Sequence, residues 1–132
     1  MKKILDDKGN LLAFVIFNNE NFKKDKFFAT EENMDMQVAS FNLKKGEIID
    51  NHIHLNQERK VYTTTELIVL IEGVVDFNIF DKDLKQIEKV RLHEFDLICL
   101  IEGGHGMEVI EDSKFIEAKQ GPFDPMKDKK RF

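Results

Sequence analysis

The chain has 132 residues, 42% of them hydrophobic and 34% charged, which allows one domain around one core and is too apolar for a disordered segment. Its 20 basic and 25 acidic residues leave a net charge of −5, and the lysines are scattered among acids. No clustered basic face of the kind a phosphate backbone requires is present, so nucleic acid is disfavoured as a partner.

The chain opens Met1-Lys2-Lys3-Ile4-Leu5 and turns at once to Asp6-Asp7-Lys8-Gly9-Asn10, so no continuous apolar stretch serves as a signal peptide. No apolar run approaches the ~20 residues that span a bilayer, and a soluble cytoplasmic protein without a membrane partner is expected. Leu11 to Phe17 reads as a strand, in a hairpin with the start of the chain. Asn18 to Met36 is polar with Phe27 and Phe28 embedded, a loop or short helix. Gln37 to Leu43 alternates, and Lys44-Lys45-Gly46 supplies a turn.

Gly46 to Leu55 reads as a second extended segment, carrying two of the four histidines. Val61 to Ile71, rich in β-branched residues, is a long strand candidate. Gly73 interrupts, Val74 to Phe80 alternates, Asp81-Lys82-Asp83 turns, and Gln86 to Leu92 returns. Phe95 to Ile101, Gly106 to Ile110 and Lys114 to Lys119 complete the series. Seven or eight short strands at this spacing, with no helical period, predict an all-β sandwich or barrel. The run Lys127-Asp128-Lys129-Lys130-Arg131 reads as a solvated tail.

Cys99 is the only cysteine, so no intrachain disulfide can form, as suits a reducing cytosol. Its setting in Leu97-Ile98-Cys99-Leu100-Ile101 marks it as a small buried hydrophobe rather than a nucleophile. Twelve phenylalanines, one tyrosine and no tryptophan supply ring bulk without a polar handle, for a core or a subunit contact.

The chemistry-bearing residues cluster in the middle of the chain. His52 and His54 are two apart, so on a strand their side chains leave one face. Glu66 opens the apolar segment Leu67-Ile68-Val69-Leu70-Ile71 and shares a face with Ile68 and Leu70, where an unpaired carboxylate is costly to bury. A metal relieves that cost, and so does a salt bridge. His105 follows two glycines that let backbone approach closely. Three imidazoles and one carboxylate suit a divalent Fe, Mn, Ni, Co or Zn ion, with two open positions if the ion is octahedral. His93, before Glu94-Phe95-Asp96, reads as a surface-loop histidine.

These residues resemble the cupin superfamily. Its first motif is Gly, five residues, His-x-His, a short gap, Glu, six residues, Gly. Here Gly46 is followed by five residues and His52-Ile53-His54, and Glu66 by six residues and Gly73, in "TELIVLIEG". The second motif, a glycine-containing turn and a histidine, is similar to "LIEGGHG" with His105. The gap from His54 to Glu66 is eleven residues where the family usually has three or four, and Glu58 stands at the short spacing as a rival ligand. The second motif lacks its proline and has Val109 where an asparagine is usual.

The resemblance covers roughly residues 37–120. It implies a single-domain double-stranded β-helix, or jelly-roll barrel, with residues 1–35 as N-terminal strands and loop, 36–120 as barrel core and 121–132 as tail. The metal ligands it implies are His52, His54, Glu66 and His105. The ending "IEAKQGPF…DKKRF" is also similar to small cupins often encoded among bacterial surface-polysaccharide genes.

If Glu66 points inward, so do Tyr62 and Thr64 on the same strand. Tyr62 and Glu58 are then the candidate proton-handling residues. Met107 and Val109, on the face of His105, form an apolar wall, and Gln120, on a face with Ile116 and Ala118, is a polar contact at the rim. Lys119 and Glu117 then face out unless a bulge shifts the register.

The expected function is a metal-dependent cupin enzyme acting on a small polar molecule, a sugar or sugar-nucleotide among them, with the ion as Lewis acid. The alternatives are a metal-free sugar-nucleotide epimerase or ketoisomerase using His54 or His105 with Tyr62, and a binding module without turnover. A homodimer is expected, with Phe14, Phe17, Phe22, Phe27 and Phe28 available for an apolar contact.

Overall fold

Leu11 to Ile16, LLAFVI, is an unbroken apolar run of the length that suits a strand buried on both faces. In the computed structural model, which describes residues 1–20, 23 and 25–132, that segment is strand β2. It pairs antiparallel with β1 (Lys2–Leu5) through the turn Asp6–Asn10, so the expected hairpin is present. The Asp6 carboxylate closes the turn by accepting from the backbone amides of Lys8 and Asn10.

The chain forms two compact units, Met1–Glu20 with Thr63–Phe132, and Asn21–Tyr62. The first holds a five-stranded antiparallel sheet, in the order β1-β2-β8-β5-β10, and a three-stranded one, β7-β6-β9. The remaining strands are β5 (Glu66–Glu72), β6 (Val75–Phe80), β7 (Gln86–Leu92), β8 (Leu97–Leu100), β9 (Gly104–Val109) and β10 (Lys114–Lys119). A short 3-10 helix spans Asn18–Glu20.

One core is shared by both sheets of this unit. Ile4, Leu12, Ala13, Val15, Ile68, Leu70, Ile98 and Leu100 come from the larger sheet, and Val75, Phe77, Ile79, Val90 and Leu92 from the smaller. Period-two patterning places Ile68 and Leu70 on one face of β5, and Val75, Phe77 and Ile79 on one face of β6. Burying such side chains supplies about 1.5–3 kcal/mol each before chain entropy is subtracted.

Two residues outside the core fix the connections. Asp96, buried, accepts from the backbone amides of Asn18 and His93, pinning the turn between β7 and β8. His93 is exposed in that turn, as expected of a loop histidine. Gly73 joins β5 to β6 with φ +93°, and the Asp112 carbonyl occupies the space a Cβ would need, so both backbone angle and contact demand glycine.

The second unit holds the two-stranded sheet of β3 (Lys26–Phe28) and β4 (Ala39–Phe41). Its connecting loop is closed by Thr30, whose hydroxyl accepts from the Val38 amide, and by the Gln37 side chain, which donates to the carbonyls of Glu31 and Met34. Among the described residues of 18–36 the chain is loop apart from the 3-10 helix Asn18–Glu20 and the short strand β3, and the 37–43 strand shortens to three residues.

The segment from Gly46 to Leu55 is not a strand. It joins no ladder, and Ile48, Ile49, Ile53 and Leu55 are exposed. A strand needs a neighbour for its backbone groups and a face to bury, and alternating side chains alone provide neither. The strand expected from Val61 likewise begins only at Glu66, after a bend at Thr63. The elements described are thus all β apart from the 3-10 helix, and none is a helix long and apolar enough to cross a membrane.

Candidate functional site

Glu66 begins β5 on the face of Ile68 and Leu70, and is opposite Leu100 of β8 and Lys119 of β10. His105 lies on β9 opposite Ile79, so its side chain leaves the face of the smaller sheet that carries the core. The two side chains meet between the sheets, with His105 Nε2 3.1 Å from Glu66 Oε2. Glu66, at 12% side-chain exposure, thus resolves the cost foreseen for an inward carboxylate. A hydrogen bond from His105 holds its carboxyl below the usual range against the opposing effect of burial, with the charges of His105 and Lys119 adding to that pull.

Lys119 is the second partner of Glu66, its Nζ 3.5 Å from Oε1. The same ammonium lies 3.2 Å from Glu117 Oε1 and 5.1 Å from the centre of the Phe123 ring. The expectation that Lys119 and Glu117 face outward is overturned. The ladder sets Lys119 against Glu66, Glu117 against Ile68 and Phe115 against Leu70, while Ile116 opposes Val69 on the outer face. A register shift between Lys114 and Phe115 accompanies this placement. The apolar Ile116 suggested the wrong inward set, although it is 62% exposed. Lys119 was legible only from its pairing with Glu66.

The expected rim residue Gln120 has a local partner, its side-chain oxygen accepting from the Thr65 amide where β5 begins. Met107 shares the inward face of His105 and remains 40% exposed on β9, an edge strand of its sheet. Thr64 is exposed and precedes the strand, so the parity that was to align it and Tyr62 with Glu66 does not extend to either.

In the second unit, the rings of His52 and His54 are 5.3 Å apart and nearly perpendicular, and both side chains are exposed. Nδ1 of His52 lies 2.9 Å from the Asp50 carbonyl oxygen. A carbonyl only accepts, so Nδ1 is the donor in this contact, and in the neutral ring that arrangement leaves the lone pair on Nε2, the form a metal ligand requires. Glu58 and Tyr62 of the same unit are exposed.

The predicted ligands are therefore gathered as two pairs, His52 with His54 and Glu66 with His105, one pair in each unit. Among the described residues no group of three or more His, Cys, Asp or Glu side chains stands close enough to hold one ion. The Glu66–His105 pair brings a carboxylate oxygen and an imidazole nitrogen into contact, two donors of the types that divalent cations take and fewer than a bound ion needs.

Comparison with protein-family models, curated proteins and solved structures finds no match.

Of the other expectations, Cys99 is fully buried and burial pushes its thiol up to about 12, as suits a small core residue. Phe14, offered for a subunit contact, is buried instead, and Phe17 packs against the core. Phe22 lies outside the described residues. In the second unit Phe28 and Phe41 stay exposed, edge to face at 6.5 Å with Lys26 over both rings.

Proposed function

We propose that this chain is a metal-binding cupin, a jelly-roll barrel enzyme acting on a small polar molecule, with a sugar or sugar-nucleotide as the substrate class. The observation that carries the reading is the Glu66–His105 pair: a carboxylate and an imidazole from two different sheets, in contact at 3.1 Å between them. Two antiparallel sheets around one core are the material of a jelly roll, and the glycine demanded at Gly73 is the one that closes the first motif.

His52, His54, Glu66 and His105 would hold a divalent Fe, Mn, Ni, Co or Zn ion. Such an ion supplies Lewis acidity, polarising a carbonyl or hydroxyl of the substrate. Glu66 contributes negative charge, kept ionised by its two partners. His52 contributes Nε2, freed by the hydrogen bond of Nδ1 to Asp50. Met107 gives the apolar wall, and Tyr62 and Glu58 are the groups assigned to proton movement, with Thr64 and Gln120 at the pocket rim. A homodimer belongs to the same reading, with Phe28 and Phe41 as rings available to it.

The same pair favours a second reading. An imidazole bound to a carboxylate is how a histidine general base is oriented, so His105 backed by Glu66 also suits a metal-free epimerase or ketoisomerase, with Tyr62 as its acid. Proton exchange separates the two. Protein is incubated in D2O with keto-sugar nucleotides, and deuterium incorporation beside the carbonyl is followed by NMR, before and after chelation. Incorporation lost on chelation and restored by metal supports the metal-dependent enzyme. Incorporation that persists without metal supports the second reading, and none in either state leaves the binding module.

A further inference from the structure

β9 and β10 contribute nothing to the core that every other strand of the first unit joins. Their inward positions are nonetheless apolar. Met107 and Val109 stand across the ladder from Phe77 and Val75, and Phe115 across from Leu70, partners that are fully buried. All three remain exposed. Apolar side chains on the core face of a strand stay exposed when no layer lies over them.

The order of strands locates the missing layer. β1 packs on β7 and β2 on β6, and β5 meets β9 through Glu66 and His105. The larger sheet then continues to β10, whereas the smaller stops at β9, which has no second neighbour among the described residues. One more strand beside β9 would lie over β10. It would cover Met107, Val109 and Phe115 and take up the free backbone groups of the β9 edge.

Residues 46–55 have the pattern for that place. They belong to no strand, and Ile48 and Ile53 are 84% and 83% exposed. As a strand they would present Ile48, Asp50, His52 and His54 on one face, apolar at its start and basic at its end. The uncovered lining has the same polarity, with Val109 and Phe115 towards one end and His105, Glu66 and Lys119 towards the other. Running antiparallel to β9, the segment would set Ile48 against Val109 and carry its two imidazoles to the Glu66 carboxylate.

We propose that a second copy of this chain supplies the strand, residues 46–55 of each chain adding antiparallel to β9 of the other across a two-fold axis. In the single chain both the segment and the edge are without a ladder partner, and an exchange between two copies satisfies both at once. The partner's His52 and the partner's His54 then complete the end of the sandwich that holds Glu66 and His105. The inference rests on the homodimer of the proposed function and on neither its metal nor its reaction.

The test is sedimentation equilibrium of the full chain, comparing native protein with Ile48→Asp and Ile53→Asp, each checked for native circular dichroism. The two isoleucines are equally exposed in the single chain, but only Ile48 lies on the face that turns inward on exchange. Ile48→Asp is expected to weaken the dimer at least about tenfold, because it buries a carboxylate against Val109 and Phe115. Ile53→Asp, left facing water, should change it by less than about threefold. An Ile48→Cys/Val109→Cys variant under oxidised glutathione should then give a disulfide-linked dimer.

A native monomer overturns the homodimer and the exchange with it. A native dimer that Ile48→Asp leaves intact, or that only Ile53→Asp weakens, overturns the exchange and leaves the homodimer. A disulfide closed within one chain overturns the second copy as the source of the strand.

Discussion

His105 on the three-stranded sheet and Glu66 on the five-stranded sheet meet at 3.1 Å, a polar contact between two sheets whose common core is otherwise apolar. A carboxylate oxygen held as an anion accepts, so a hydrogen bond across this contact requires the hydrogen on the ring nitrogen. In metal-free protein, long-range 1H–15N spectra should show Nε2 of His105 protonated. A bare Nε2, with the hydrogen on Nδ1 alone, contradicts the contact.

Asp76 predicts a specific acid sensitivity. Arg91 grips its two oxygens at 2.7 and 2.9 Å and Lys89 adds a third contact at 3.1 Å. The hydrogen bond from Arg91, with Lys89 behind it, holds the carboxyl down from 3.8 to about 2 despite the opposing effect of burial. A depressed folded-state value means that the unfolded chain binds the proton first as pH falls. The stabilisation is therefore complete above the ordinary value and fades as pH drops towards about 2. Melting temperatures of native protein and Asp76→Asn should converge across that window, and a constant gap would contradict the linkage.

Cys99 should be inert in the folded protein. It is fully buried with its thiol pushed up to about 12, so almost no thiolate exists at pH 8. A disulfide reagent should modify it only after unfolding in urea. Rapid stoichiometric modification of native protein would mean that β8 is not buried as described.

Two substitutions probe the frame that carries the site. Phe77, 1% exposed in the shared core, should cost about 3–5 kcal/mol when changed to alanine. Gly73→Ala should cost at least about 1 kcal/mol, because it strains a left-handed backbone and drives a methyl group into the Asp112 carbonyl. Urea unfolding measures both. A Gly73→Ala protein as stable as native would remove the physical reason for glycine there.

Where strands had both a neighbour and an alternating or continuous apolar pattern, the sequence predicted them closely. The expected ranges 86–92 and 114–119 are β7 and β10, and the N-terminal hairpin pairs as predicted. Gly46 to Leu55 has alternation without burial, and its isoleucines are exposed in an irregular segment. The pairing of Glu66 with His105 was approachable, since both were singled out by residue type and local pattern. Lys119 was not, because a single-residue shift decides which face of an edge strand turns inward, and sequence alternation does not contain that shift. Tyr62 shows the same limit, being 89% exposed ahead of the strand whose parity was to place it.

The most direct test of the central claim is elemental analysis of purified protein beside a His52→Ala/His54→Ala variant. The account predicts about one divalent ion per chain in the native protein and its loss from the variant. No metal in native protein, even after incubation with Fe(II), Mn(II), Ni(II) and Zn(II), would contradict it and leave the Glu66–His105 pair as an oriented base.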